Sequence, residues 1–230
     1  RTAAALHGRP APAPPRLTPA QRRLARDGAF VVDLTPGRES SRDAATVTVV
    51  APDRLGLLAR TAGVLALHRL DVRAATVETV GSAGVGVWTV LPRYGDLPDP
   101  AVLREDLRRA IEGAADIGAL LARRDAAQPR RPGAPTGGGV AAPAVEVVAG
   151  ACDTATVLEV RAQDRPGLLY RVGRVLEHHG VDVRRAHANT LGPAAVDVFY
   201  VVDARGDGRG RPLDDTRADA VARAVGEALR

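Results

Sequence analysis

Asp53-Arg54-Leu55-Gly56-Leu57-Leu58 recurs 111 residues later as Asp164-Arg165-Pro166-Gly167-Leu168-Leu169. The register then holds without a gap. Val64-Leu65 meets Val175-Leu176, His68 meets His179, and Asp71-Val72-Arg73 meets Asp182-Val183-Arg184. Thr79 and Gly81 meet Thr190 and Gly192, and Val85 and Val87 meet Val196 and Val198. About twenty identities fall within residues 46–91, far above chance for so short a window, so the chain carries two copies of one unit. Two copies are too few for a solenoid, and a pair of packed domains is expected.

Each copy shows the same order of periodicities. Residues 46–50 and 156–160 are short, alternating, β-branched runs, which predict strands. Residues 55–68 and 166–179 repeat apolar side chains every three or four positions (Leu58, Ala62, Leu65; Leu169, Val172, Leu176), which predicts helices. Asp53 and Asp164 are the acidic starts expected near an N-cap, Pro166 suits a first turn, and Gly180 closes the second helix. Strands follow at 72–80 and 183–191, turns at 81–84 and 192–194, and strands at 85–91 and 195–203. Closing helices are expected at 100–120 and 214–229, with Leu103, Leu107, Ile111 and Val221, Val225, Leu229 on one face. The order β-α-β-β-α predicts two ferredoxin-like α+β sandwiches in tandem, each an antiparallel sheet with two helices.

The second copy has no strand after its last helix. Each copy does have an extra strand ahead of its first, at 30–34 and 145–148. Hairpinned onto the first strand, it would fill the sheet position left by the missing one. Units of β-β-α-β-β-α are therefore expected; in the rival topology, 145–148 closes unit one beside 46–50. The divisions are a Pro/Arg-rich leader (1–28), unit one (29–121), a flexible linker (122–142) and unit two (143–230). Thr18-Pro19-Ala20-Gln21 reads as a capping box that opens a short helix in the leader, ended by Gly28.

Composition narrows the function classes. The 230 residues include 32 basic side chains, all Arg, against 27 acidic ones, giving a net charge of +5. The surplus sits in two segments that also read as linkers: residues 1–43 carry 8 Arg and 4 acids, and residues 121–139 carry 4 Arg and 1 acid. The repeated units are slightly acidic, which disfavours a phosphate-binding sheet. Aromatics are 3%, too few for base stacking along a strand. One Cys rules out a disulfide framework, and no apolar run is long enough to span a membrane or act as a secretory signal. A cytoplasmic location is expected. The absence of Met is what a processed chain, or a piece of a longer one, would show.

The repeated motif lies between a strand and a helix start. Its Gly lets a ligand approach the backbone, and unpaired N–H groups of a first helical turn attract a carboxylate or phosphate. The competing reading is structural: Asp caps, Gly turns, Leu-Leu packs. His68 and His179 at helix ends complement helix dipoles, Asp214-Asp215 starts a helix, and Cys152 lies in a turn with no paired His.

Asp-Arg-Pro-Gly-Leu-Leu, a helix of this length, Val-Asp-Val-Arg, and then Asp197-Val198-Phe199-Tyr200-Val201 resemble an ACT domain. Over residues 29–230 the pair resembles the C-terminal tandem ACT region of the bifunctional PII uridylyltransferase/uridylyl-removing enzymes. The resemblance implies sensing of a small amino acid, here glutamine, at the interface of two units. The implied binding residues are Asp53, Arg54, Leu55, Gly56, Leu57 and Leu58 with Val72 and Arg73, and Asp164, Arg165, Pro166, Gly167, Leu168 and Leu169 with Val183 and Arg184. Leu55 in place of Pro puts equal binding by both units in question. The implied partners are the PII signalling protein and upstream catalytic domains of the same chain. Those modules would need a Gly-Ser turn with paired Asp residues, and an adjacent His-Asp pair. Gly137-Gly138-Gly139 is followed by Val140, no Asp-x-Asp occurs and no His-Asp occurs. The expectation is therefore a non-catalytic regulatory region with no cofactor of its own, Mg²⁺ belonging to the absent modules. The alternatives are an ACT tail on another amino-acid metabolic enzyme, or an RNA-binding or scaffolding pair. An RNA-recognition sheet would carry stacking aromatics on its third strand; here those strands offer only Trp88 and Phe199-Tyr200.

Overall fold

The β-branched alternating segments become strands, and the segments with apolar spacing of three to four become helices. The computed structural model describes residues 18–37, 44–127, 142–205 and 210–230. In chain order the elements are α1 (Pro19–Arg26), β1 (Val31–Pro36), β2 (Ala45–Pro52), α2 (Leu57–Leu67), β3 (Leu70–Val80), β4 (Ala83–Pro92), α3 (Pro100–Ile111), α4 (Ile117–Ala127), β5 (Ala144–Val147), β6 (Thr156–Gln163), α5 (Leu168–His178), β7 (Val181–Leu191), β8 (Ala194–Asp203) and α6 (Asp215–Ala228).

Both extra strands pair as the hairpin argument requires. β1 lies antiparallel to β2, with Val31 opposite Val50, and β5 lies antiparallel to β6, with Val145 opposite Val160. The rival topology is thereby excluded. The sequence did not foretell that the two sheets would be one. The strand order is β1-β2-β4-β3-β7-β8-β6-β5, and every pair is antiparallel. The join is β3 against β7, where Thr76 faces His187. Those two positions are equivalent in the repeat, so a pseudo-twofold axis runs between them. Any residue near the axis in one unit therefore faces the counterpart of its own neighbours in the other.

The inward face of the sheet packs on helices around Trp88, Phe199, Leu65, Leu103, Leu107, Leu158 and Leu176, all fully buried. Burying each such side chain contributes about 1.5–3 kcal/mol. Trp88 and Phe199 of the third strands are thus core residues, unavailable for stacking on bases, while Tyr200 is half-buried with its ring edge-on to His187. Helices α2 and α5 meet across the axis. A Cβ on Gly173 would stand 3.0 Å from the backbone of Ala59, so a side chain there would push them apart. Helix α1 covers the outward face of unit one, with Ala25 against Val50, Val85 and Val87. Its capping box forms: Thr18 Oγ1 accepts from the Gln21 N–H, and Gln21 Oε1 accepts from the Thr18 N–H.

Two local expectations need correction. The helix expected at 100–120 is two helices. Gly113 takes a left-handed φ of +80°, ending α3, and the chain restarts at Ile117. Unit one thus has a third packed helix, α4, which continues to Ala127 into the segment expected as linker. The rest of that segment, 128–141, and the leader before residue 18 lie outside the described residues. The second correction concerns the caps. Neither Asp53 nor Asp164 caps a helix. The N-cap positions are Gly56 (φ +84°) and Gly167 (φ +73°), with no side-chain cap bond, and Pro166 falls in the turn ahead of α5. The aspartates sit three residues too early to reach the first turn's N–H groups, and turn instead toward the other repeat.

Candidate functional site

The two motif loops face each other's repeat across the axis, forming two related clefts. In one, the loop carrying Asp164, Arg165, Pro166, Gly167, Leu168 and Leu169 meets Asp71 and Val72 of β3. In the other, Asp53, Arg54, Gly56, Leu57 and Leu58 meet Asp182 and Val183 of β7. Each strand carries a bulge at the same place, between Val72 and Ala74 in β3 and between Val183 and Arg185 in β7. A bulge re-aims the extra side chain. Here it sends Arg73 to Asp164 (Nη1 to Oδ2, 3.2 Å) and Arg184 to Asp53 (Nη1 to Oδ2, 3.4 Å). Fifteen of the sixteen sequence-predicted residues line a cleft or bridge it; Leu55 does not, its side chain turning to solvent.

The clefts differ in what closes them. At Gly56, the Glu177 carboxylate lies over the glycine. A Cβ there would sit 2.3 Å from Glu177 Oε1, and that oxygen accepts from Arg60 at 3.0 Å. Arg174 holds the other oxygen at 2.6 Å. Asp53 is also satisfied, accepting from Thr79 Oγ1 at 2.9 Å. The space left is about 20 Å³. At Gly167, the position equivalent to Glu177 is Ala66, and nothing lies within 4 Å of where a Cβ would be. About 40 Å³ remains, against roughly 10–15 Å³ needed to seat one water. Arg171, equivalent to Arg60, has no partner for its Nε. Helix α5, like α2, opens with no side-chain cap; the Leu168 N–H donates to the Arg165 carbonyl at 3.1 Å, and the N–H groups that follow it have no side-chain acceptor.

The Gly167 cleft is acidic, and burial raises two of its carboxyls. Burial raises the Asp164 carboxyl above its ordinary value, although Arg73 opposes the shift. Asp197 of β8 lines the same cleft, is 2% exposed, and has no partner for Oδ2. Its Oδ1 accepts only the Asn189 N–H, at 3.3 Å. Burial pushes it up to about 7, opposed by the Asn189 N–H and helped by the neighbouring Asp164 charge. Sequence reasoning quoted Asp197 within the motif but gave it no role. Strand alternation held the signal: Ala195, Asp197 and Phe199 share the inward face, so an acid is aimed into an apolar core. Ala66, Glu177, Tyr170 and Thr190 were missed as well, because they join the clefts only through the pairing of the repeats.

The ACT domain family matches residues 156–211, within the second repeat. The bifunctional uridylyltransferase/uridylyl-removing enzyme of Streptomyces coelicolor is 49% identical over 189 residues, covering 79% of this chain and 22% of that protein. The enzyme of the same description from Mycobacterium tuberculosis strain H37Rv is 33% identical, covering 77% of this chain and 23% of that protein. The chain belongs to the ACT-bearing region of this enzyme family. It spans about a fifth of the length of the curated relatives it matches. Among solved structures, an aspartate kinase from Synechocystis overlays with a TM-score of 0.41 at 16% identity, covering 82% of this chain and 28% of that one. No helix among the described residues is long and apolar enough to cross a membrane.

Proposed function

We propose that this chain is the amino-acid-sensing part of a PII-protein uridylyltransferase, and that glutamine is its effector. The observation that carries this reading is the Gly167 cleft: a motif loop of one repeat facing a strand of the other, open, acidic and uncapped. A ligand there contacts both repeats, so its binding free energy depends on how they are arranged. It stabilises one arrangement over others by its difference in affinity, and coupling to catalytic modules of a longer chain is reciprocal. The PII signalling protein is the partner whose modification such a sensor would govern. The Gly56 cleft, already filled by Glu177, is a structural contact in this reading, and one effector binds per chain.

Isothermal calorimetry of the chain with glutamine tests the reading, with glutamate as the control. Heat that saturates at one glutamine per chain is the expected result. A folded sample giving no heat at millimolar glutamine refutes it.

A further inference from the structure

We propose that the Gly167 cleft is a receptor for a primary ammonium group, with the Asp197 carboxylate as its acceptor, so that the effector is held by its amino end. This rests on reading that cleft as the effector site, and adds which end of the ligand enters and what pairs with it.

A buried carboxyl with an unpaired oxygen is costly to keep, and such groups normally find partners. Asp197 is 2% exposed with Oδ2 unpaired, at the wall of an open cleft. Its surroundings do not neutralise it. Arg73 of β3 is committed to Asp164, and Arg93 to Asp71. From β7 comes only the Asn189 N–H, while Thr190 Oγ1 donates to the Val72 carbonyl instead. From the motif loop and α5 come Asp164, the outward-turned Arg165, and Tyr170. The missing partner is a cation or strong donor, and a space of about 40 Å³ admits a group of the size of water, which an ammonium is. The fold itself does not require the acid. The equivalent position in the first repeat is Gly86, where the Trp88 indole occupies the space and a Cβ would lie 2.4 Å from its Nε1. One repeat therefore fills this place with its own N–H donor, and the other leaves an acid facing a void.

Binding an ammonium requires Asp197 ionised, and burial holds it at about 7. The ionised fraction rises from about a tenth at pH 6 to about nine-tenths at pH 8, so apparent affinity rises about tenfold across that range. Were a protonated Asp197 instead to donate to a ligand oxygen, affinity would fall with pH.

The test is thermal stabilisation of the whole chain at pH 6 and pH 8 by each standard amino acid at millimolar concentration, and by methylammonium. Dissociation constants are then measured for whatever stabilises, in wild type and Asp197→Asn. The expected result is about tenfold tighter binding at pH 8, with about 10- to 100-fold weaker and pH-independent binding in Asp197→Asn. If an amino acid other than glutamine shows this pattern, the proposal holds and glutamine is excluded. Glutamine bound equally at both pH values, or more tightly at pH 6, overturns the proposal and leaves the effector reading standing. A folded wild type that nothing stabilises at pH 8 overturns both. The pH comparison in wild type decides the matter even if the variant does not fold.

Discussion

Replacing Asp197 by Asn should stabilise the protein, increasingly so with pH. Asp197 is buried with one oxygen unpaired, and its carboxyl stands near 7 against an ordinary 3.8. At about 1.36 kcal/mol per unit, the folded state loses about 4 kcal/mol of stability once Asp197 is ionised. The sign follows from which state holds the proton more tightly. Below pH 4 both states are protonated and nothing is lost. Between 4 and 7 the unfolded chain releases its proton while the folded one retains it, so stability falls; above 7 the loss is complete. An Asn at this position has nothing to ionise. The advantage of Asp197→Asn over wild type should therefore grow by about 2–3 kcal/mol between pH 5 and pH 8, and level off beyond. Urea unfolding of both proteins at pH 5, 6, 7 and 8, followed by circular dichroism, measures this difference directly. A difference that stays constant with pH would show that Asp197 titrates normally, and the description of it as buried and unpaired would be wrong.

Three further outcomes follow from the same geometry. Gly167→Ala meets open space and should lose only the left-handed backbone cost, about 1–2 kcal/mol, whereas Gly56→Ala must also displace Glu177 from Arg60 and should lose about 1 kcal/mol more. Thermal unfolding ranks them, and equal losses would mean Glu177 does not cover Gly56. Arg69 is exposed and left-handed (φ +57°) where the second repeat has Gly180 (φ +64°), so Arg69→Gly should gain about 0.5–1 kcal/mol in urea unfolding. Ala66→Glu places in the open cleft the acid that closes the other one, within reach of the unpaired Arg171. Calorimetry should show glutamine binding weakened at least about tenfold, with folding intact by circular dichroism.

Much of this was legible in the chain because local periodicity carries it. Alternating Val and Thr set the strands, the spacing of Leu58, Ala62 and Leu65 set α2, and the unmatched strand ahead of each unit left only one place in its sheet. What escaped depends on distant partners. Pairing β3 with β7 joins two edges whose sequences carry no mark of which edge they meet. The roles of Asp53 and Asp164 changed for the same reason: a bulge in the other repeat delivers the arginines that take them. The break after α3 shows in the chain as a jump in apolar spacing from four residues (Leu107 to Ile111) to six (Ile111 to Ile117), at the left-handed Gly113, and reading one helix through it overlooked that jump. Both clefts were placed by the repeated motif. Their inequality was not, because it turns on Ala66 against Glu177 and Asp197 against Gly86, differences that look incidental until the repeats are folded together.

The central claim is that only one of the two related clefts takes a ligand. Amide NMR of the chain during a glutamine titration tests it most directly, because Gly56 and Gly167 report separately. The account predicts saturable shifts at Gly167, Leu168, Asn189 and Val72, with Gly56 and Leu57 unmoved. Equal shifts at both glycines, or shifts confined to neither cleft, would contradict it.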